Sequence, residues 1–363
     1  MPERELGRSV FQVRGSRAAH RARRPSSQHR PVKERAMTIA TSGLHHVTAI
    51  AGDPQRNADF YLRTLGLRMV KTTVNFDDPG TYHLYYGDEA GRPGSLITFF
   101  PWKGAPAGRR GTGQATTTAF SVPEQSLGWW KQHLDGLGVD TTEITERDGE
   151  RALGLRDPDG LAISLVAHPQ GDPRAPWDNG IVPAEHGIRG LHSVTLAVTA
   201  EDATVAMLGD LGLRPHDQQG NRLRFAAGEG GPGAFVDVLV TPAAPRGLVA
   251  AGTVHHVAWR APDEPTQAAW RAELADQGVG VTSVLDRQYF RSIYFREPGG
   301  TLLEIATDEP GFTADEPLLE LGRALKLPPW LEPNREQIQA TLPELDLPDE
   351  NNPELAQRLA ENR

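Results

Sequence analysis

A short string recurs in this chain. Leu44-His45-His46-Val47 returns as Val254-His255-His256-Val257, each time inside an alternating apolar stretch that reads as a β-strand. A third copy, Gly190-Leu191-His192-Ser193-Val194-Thr195, matches Gly43-Leu44-His45-His46-Val47-Thr48 but holds Ser193 in place of the second histidine. Such repetition restricts the fold to copies of one supersecondary unit stacked on each other. A histidine kept in two copies and lost in a third points to a duplicated scaffold with one surviving metal site.

Outward from these strings the chain repeats strand, helix and three strands, four times. Module one reads as strand 44–50, helix 57–65 closed by Gly66, and strands around 68–74, 81–86 and 95–100. Module two has a strand near 116–122, a helix at 125–136 containing Trp129-Trp130, and two strands flanking Asp157-Pro158-Asp159-Gly160. Module three runs from strand 190–198 through helix 201–210 and Gly212 to strand 234–240. Module four has strand 253–259, a helix near 265–277, Gly278, and strands around 281–286, 290–296 and 301–306. One module alone leaves an open sheet face, so modules must pair to bury it, which gives an α+β fold of four βαβββ units.

A linker rich in Pro, Gly and Asp, 168–187, divides the modules into an N-terminal domain over 37–172 and a C-terminal domain over 188–310. The tail 311–363 is Pro- and acid-rich, with short helices expected at 318–325 and 333–342. Residues 1–36 hold nine Arg and one Lys against three Glu, about +7, which leaves about −16 for the rest. With no apolar periodicity this segment is expected to be disordered. It reads as an overextended start with Met37 as the initiator, in preference to a transit peptide or a nucleic-acid arm.

Composition excludes several classes. A chain of 363 residues with 38% hydrophobic and 23% charged residues is that of a globular protein. Its net charge of −9 argues against a general nucleic-acid binder. No apolar run reaches the roughly 18 residues of a membrane-spanning helix. The absence of cysteine rules out disulfides and thiolate sites, so a metal must rest on histidine and carboxylate ligands. A cytoplasmic location is compatible with this usage.

Alternate side chains of a strand share a face, so His46 and Thr48 are expected on one side and His45 and Val47 on the other; His256 and His255 divide likewise. After the turn Glu297-Pro298-Gly299-Gly300, the strand Thr301-Leu302-Leu303-Glu304-Ile305 places a carboxylate between apolar neighbours, which is costly unless it is paired or bound to a metal. In the sister turn, Asp157 through Ser164 aligns with Glu297 through Glu304 and puts Ser164 in the carboxylate position; module one offers Thr98 or Phe99 there. His46, His256 and Glu304 therefore survive as one ligand set. Two histidines and one carboxylate with open positions suit non-haem Fe(II), whereas a Zn or Ni Lewis-acid site of this layout would need a fourth ligand.

If the hairpin turn centres near 299, Tyr294 lies opposite Glu304, placed to exchange a proton with a bound phenolic oxygen. Arg287, at the end of the preceding strand, can steady an anionic substrate. His45 and His255 are balanced between carrying protons and orienting the ligand strands. His83, in Tyr82-His83-Leu84-Tyr85-Tyr86, is expected to serve strand packing, and Trp129-Trp130 helix packing. Asp237 lacks a histidine partner at Ser193, so modules two and three are expected to hold no metal. The glycines of 228–233 lack the following helix and lysine of a phosphate loop.

These residues resemble the vicinal oxygen chelate superfamily, which includes glyoxalase I, bleomycin-resistance proteins and extradiol ring-cleaving dioxygenases, and most resemble its hydroquinone-type dioxygenases. The resemblance rests on Leu44 to Thr48, Tyr82 to Tyr86, Gly91-Arg92-Pro93-Gly94, Ser126 to Trp130, Val182-Pro183-Ala184-Glu185-His186, His255-His256, and Ser292-Ile293-Tyr294-Phe295 running to Glu304. It covers roughly 43–312, and Leu327 to Pro333 resembles the tail of close relatives. It implies two paired domains of vicinal-oxygen-chelate type, Fe(II) on His46, His256 and Glu304, and pocket roles for His45, Thr48, His255, Arg287 and Tyr294. The activity implied is O₂-dependent cleavage of a hydroquinone or related dihydroxylated aromatic, in a homodimer or larger homo-oligomer that binds neither nucleic acid nor membrane. The rival readings are a glyoxalase-like lyase or isomerase on Zn or Ni, and a metal-free module that sequesters quinones or drugs.

Overall fold

The computed structural model describes residues 39–347 except 148 and 179; the basic segment 1–36 and the end of the tail lie outside the described residues. Module one contributes β1 (Leu44–Ala51), α1 (Pro54–Asp59), β2 (Arg68–Asn75), β3 (Asp78–Gly87) and β4 (Leu96–Pro101). Module two contributes β5 (Gln114–Val122), α2 (Leu127–Gly136), β6 (Thr145–Arg147), β7 (Glu150–Arg156) and β8 (Ala162–Ala167). Module three supplies β9 (Gly190–Val198), α3 (Asp202–Asp210), β10 (Arg214–Gln219), β11 (Arg222–Ala226) and β12 (Phe235–Val240). Module four supplies β13 (Thr253–Ala261), α4 (Glu264–Asp276), β14 (Leu285–Asp286), β15 (Phe290–Arg296) and β16 (Leu302–Pro310).

The strands form two curled eight-stranded sheets, in the orders β14-β15-β16-β13-β1-β4-β3-β2 and β10-β11-β12-β9-β5-β8-β7-β6. Each half-barrel therefore draws on both halves of the chain. Module one pairs with module four through antiparallel β1 and β13, and module two with module three through antiparallel β5 and β9. The sheets thus cut across the linker at 168–187. Trp130, Trp259 and Trp270 are among the largest fully buried side chains of the core under and between the sheets.

Local chemistry explains the element ends. Asp53 caps α1 by accepting from the Arg56 amide, and Pro54 occupies the first turn. This helix begins earlier than the expected 57 because the capping Asp-Pro pair, and not the apolar periodicity, sets its start. It ends in a π-turn at Phe60–Thr64, where the Leu65 amide donates to the Phe60 carbonyl. Gly43 and Gly190 open the equivalent strands β1 and β9 with φ of 132° and 139°, and a Cβ at Gly43 would lie 2.5 Å from the Gly233 carbonyl oxygen.

Several expected elements differ. The strand expected at 281–286 shrinks to the two residues of β14. The exposed polar strands β6 and β10 carry no apolar alternation by which to find them. In the tail, only Leu318–Glu320 makes a short 3₁₀ turn within 318–325, while α5 (Arg335–Thr341) forms within 333–342. The tail runs along the edge strand β2: the Lys326 amide donates to the Thr72 carbonyl, and Leu327 and Ile338 pack on Val74. Covering an edge in this way satisfies groups that would otherwise invite pairing with another chain. No helix among the described residues is long and apolar enough to cross a membrane.

Candidate metal centre

His46 on β1, His256 on β13 and Glu304 on β16 converge inside the first half-barrel, all buried. The His46 Nε2 atom lies 3.3 Å from His256 Nε2 and 3.3 Å from Glu304 Oε2, and His256 Nε2 lies 2.9 Å from the same carboxylate oxygen. Register accounts for the convergence. Thr48 faces His256, His46 faces Ala258, and Ala258 in turn faces Glu304, so the central strands bring the three onto one face. Tyr294 stands directly opposite Glu304 across β15 and β16.

The expectation that His45 and His255 face away from their neighbours is corrected by two β-bulges. Leu44 and His46 face consecutive residues Trp259 and Ala258, so His45 is an extra residue; Thr48 and Ala49 face His256 and Val254, so His255 is another. A bulge defeats strict alternation and re-aims the side chain it carries. The Nδ1 atoms of His45 and His46 consequently lie 2.9 Å apart, and those of His255 and His256 lie 2.7 Å apart.

This geometry fixes the tautomers. Burial pushes the His45 imidazole down to about 3, helped by the neighbouring His46 ring, so it is neutral at ordinary pH. Its Nε2 lies 3.2 Å from the Thr307 carbonyl, which can only accept, so the proton sits on Nε2 and His45 Nδ1 accepts from His46 Nδ1. The lone pair of His46 Nε2 is thereby left facing Glu304. His255, also pushed down to about 3 by burial and by His256, places its Nδ1 2.7 Å from that of His256 and holds that ring. Such partners raise ligand basicity and hold the ring. His45→Phe is accordingly expected to weaken divalent-metal affinity about 10- to 100-fold with the fold retained, as read by competition with a chelator.

The site has the donor set for a metal. Ser292 donates to Glu304 Oε1 at 2.5 Å, but Glu304 Oε2, fully buried, has no aligned hydrogen-bond donor although two ring nitrogens lie close to it. A buried carboxylate oxygen without a donor, between two imidazole nitrogens, is satisfied by a cation.

Around the triad, Thr48 bonds Thr98 hydroxyl to hydroxyl at 2.7 Å, and Thr98 bonds His83 Nε2 at 2.9 Å. The Tyr85 hydroxyl lies 2.8 Å from His83 Nδ1. His83 is therefore not confined to strand packing: it shares the inner face of the half-barrel with the triad. The signal was the alternation of β3, where Leu84 and Tyr86 enter the core and His83 and Tyr85 point oppositely. Ser292 was missed because a serine in a strand carries no pattern of its own. Arg287 reaches the site from a turn in which Gln288 adopts a left-handed φ of 66°; its guanidinium lies 5.4 Å from the Tyr294 ring centre and bonds Asp77 at 2.9 Å. Trp130 is buried and donates to the His186 carbonyl, and Trp129 stacks between His133 and His186, away from the triad.

A second grouping, Glu150, His168 and His192, lies in the other half-barrel. There Glu150 already receives both histidines, at 2.6 and 2.8 Å, and Arg224 sits 2.6 Å from its other oxygen. A guanidinium in that position repels a metal cation.

Fold and site together define a paired-module protein with a candidate His/His/Glu metal centre in one of its two half-barrels. The sequence model of the glyoxalase/bleomycin resistance protein/dioxygenase superfamily matches residues 43–165 and 188–305, and the chain belongs to that superfamily. MhqO of Bacillus subtilis (strain 168), which carries the name of a ring-cleaving dioxygenase, is 46% identical over 307 residues, 84% of this chain and 97% of that protein. A chlorohydroquinone/hydroquinone 1,2-dioxygenase of Sphingobium indicum is 37% identical over 309 residues, 83% of this chain and 95% of that one. The crystal structure of a Bacillus subtilis protein described as a dioxygenase has a TM-score of 0.82 at 44% identity, covering 85% of this chain and 99% of that chain. Glyoxalase I of Zea mays, with a TM-score of 0.55 at 14% identity, shares the fold. Within the superfamily the chain is an enzyme of the ring-cleaving dioxygenase group.

Proposed function

We propose that this enzyme is an Fe(II)-dependent extradiol-type dioxygenase that opens the ring of a hydroquinone or a related dihydroxylated aromatic. The observation that carries this reading is the three-ligand set His46, His256 and Glu304, with Glu304 Oε2 buried and without a hydrogen bond. Two histidines and one carboxylate hold iron while leaving positions free, a pattern of non-haem Fe(II) oxygenases. The relative named for chlorohydroquinone and hydroquinone supports the substrate class. Bound there, iron would supply a redox-active Lewis acid through which a phenol and O₂ exchange electrons.

The residues of the chain do the rest. Phe290 lies 5.2 Å from the His46 ring, and Phe100 lies 4.4 Å from His83 and 5.6 Å from His255, giving the site aromatic walls suited to a flat ring. Burial and the Glu304 charge raise the Tyr294 hydroxyl above its ordinary value, partly offset by Arg287, so Tyr294 keeps its proton at neutral pH and donates a hydrogen bond to a substrate oxygen. Arg287 supplies positive charge as the ring oxygen becomes anionic. His255, half-buried and neutral, stands beside His256 as a group able to exchange a proton, while Thr48 and Thr98 tie the ligand strand to His83.

The test is oxygen consumption by the Fe(II)-loaded protein across hydroquinone, methyl- and chlorohydroquinones and catechols, with isotopically labelled O₂. Both labelled atoms are expected in a ring-opened acid from a hydroquinone. Turnover without O₂ would overturn the reading in favour of a glyoxalase-like reaction.

A further inference from the structure

The second half-barrel repeats the metal-centre scaffold with its ligands replaced. Across β9 and β5, Thr195 faces Thr117 and Ser193 faces Ala119, as Thr48 faces His256 and His46 faces Ala258 in the first sheet. Ala119 faces Ser164, as Ala258 faces Glu304. Ser193, Thr117 and Ser164 therefore occupy the places of His46, His256 and Glu304. By the same registers Arg222 and Arg224 stand where His83 and Tyr85 stand, and Gly154 replaces Tyr294. Three hydroxyls and two guanidiniums have taken over from three metal ligands, a histidine and a tyrosine.

These residues line a cavity of about 470 Å³. Five arginines, Arg110, Arg147, Arg156, Arg222 and Arg224, face it against the three carboxylates Asp140, Glu150 and Asp237. Arg224 spans Glu150 and Asp237 at 2.6 and 2.8 Å, and Arg222 bonds Asp237 at 3.0 Å, so the innermost charges are matched and rigid. Arg110 and Arg156 have no carboxylate partner among the described residues and repel one another. The hydroxyls of Thr117 and Ser164 are likewise without a hydrogen-bond partner among the described residues. A surplus of guanidinium charge beside open hydroxyls is unusual in a chain of net charge −9, and is the chemistry that recognises a planar oxyanion.

We propose that this cavity is a binding site for a small carboxylate, separate from the metal centre and built by the two modules that lost the metal ligands. Two sources share this chemistry: an aromatic acid, and the ring-opened acid that dioxygenation of a hydroxylated ring releases. The site stands on its own residues and does not depend on which reaction the metal centre performs.

Titration calorimetry of the full-length iron-loaded protein with cis,cis-muconate and, separately, benzoate tests it. One acid is expected to bind per chain, with affinity falling about tenfold in Arg110→Gln and about tenfold again when Arg156→Gln is added. Both arginines are exposed, so these variants keep the fold. Ser164→Glu, which puts a negative charge where the metal half carries its ligand, is expected to abolish binding, and His46→Ala to leave it unchanged. Tighter binding of muconate assigns the site to ring-opened acids, and tighter binding of benzoate assigns it to aromatic acids. Absence of heat with either probe up to about 10 mM would overturn the proposal. So would binding that survives the arginine substitutions and disappears in His46→Ala, which would place the acid at the metal centre.

Discussion

Glu304→Ala is expected to abolish tight iron binding and to lower O₂ uptake by about three orders of magnitude or more, because a catalytic metal supplies several kcal/mol of transition-state stabilisation. The carboxylate is fully buried and its Oε2 is the point toward which the His46 and His256 imidazoles turn. Without it only the two imidazoles remain, and the Ser292 hydroxyl that met Oε1 is left unpaired. Glu304→Gln separates charge from shape: it fills the same volume and can still accept from Ser292, so the fold is expected to persist while iron affinity falls. Metal content after chelation and reloading, measured beside O₂ uptake and thermal unfolding, checks both variants. Full turnover by folded Glu304→Ala would remove this residue from the centre.

Lys71→Met is expected to destabilise the fold by about 3–5 kcal/mol, the cost of removing one member of a buried ion pair. The Lys71 ammonium on β2 is fully buried, bonds Asp315 at 2.6 Å and Glu316 more closely still, and lies 4.8 Å from the Tyr289 ring centre. Methionine keeps most of the volume, so the loss comes from leaving the buried Glu316 carboxylate and the half-buried Asp315 carboxylate without their cation. Those carboxylates anchor the tail across the edge of the sheet that carries His46, His256 and Glu304, where Arg68 also donates to the Leu318 carbonyl at 2.8 Å. Chemical denaturation measures the loss, and faster proteolysis within the tail shows where it falls. Adding Asp315→Asn and Glu316→Gln to Lys71→Met is expected to restore part of the stability, since no charge then remains buried.

Of the strands that carry the triad, β1 and β13 were legible because their histidine motif repeats within apolar stretches, and β16 because its carboxylate stands between apolar neighbours after a turn. The Tyr294–Glu304 pairing followed from counting outward from the Glu297-Pro298-Gly299-Gly300 turn, whose tightness fixes the hairpin register. What escaped had physical reasons. Alternation placed His45 and His255 on the wrong face because a bulge leaves no mark in apolar periodicity. The pairing of module one with module four, and of two with three, follows from β1 meeting β13 and β5 meeting β9, contacts between residues roughly 70 to 215 positions apart that no local pattern announces. Arg222 and Arg224 drew no expectation from the sequence, because only the folded sheet turns both toward one cavity.

The most direct measurement is a titration of the chelator-treated protein with Fe(II) under anaerobic conditions, followed at each step by O₂ uptake with hydroquinone. Uptake rising linearly to a break at one iron per chain, and absent in His46→Ala and His256→Ala, is the predicted result. Uptake that is full before iron is added, or that persists in both histidine variants, would contradict a single iron held by His46, His256 and Glu304.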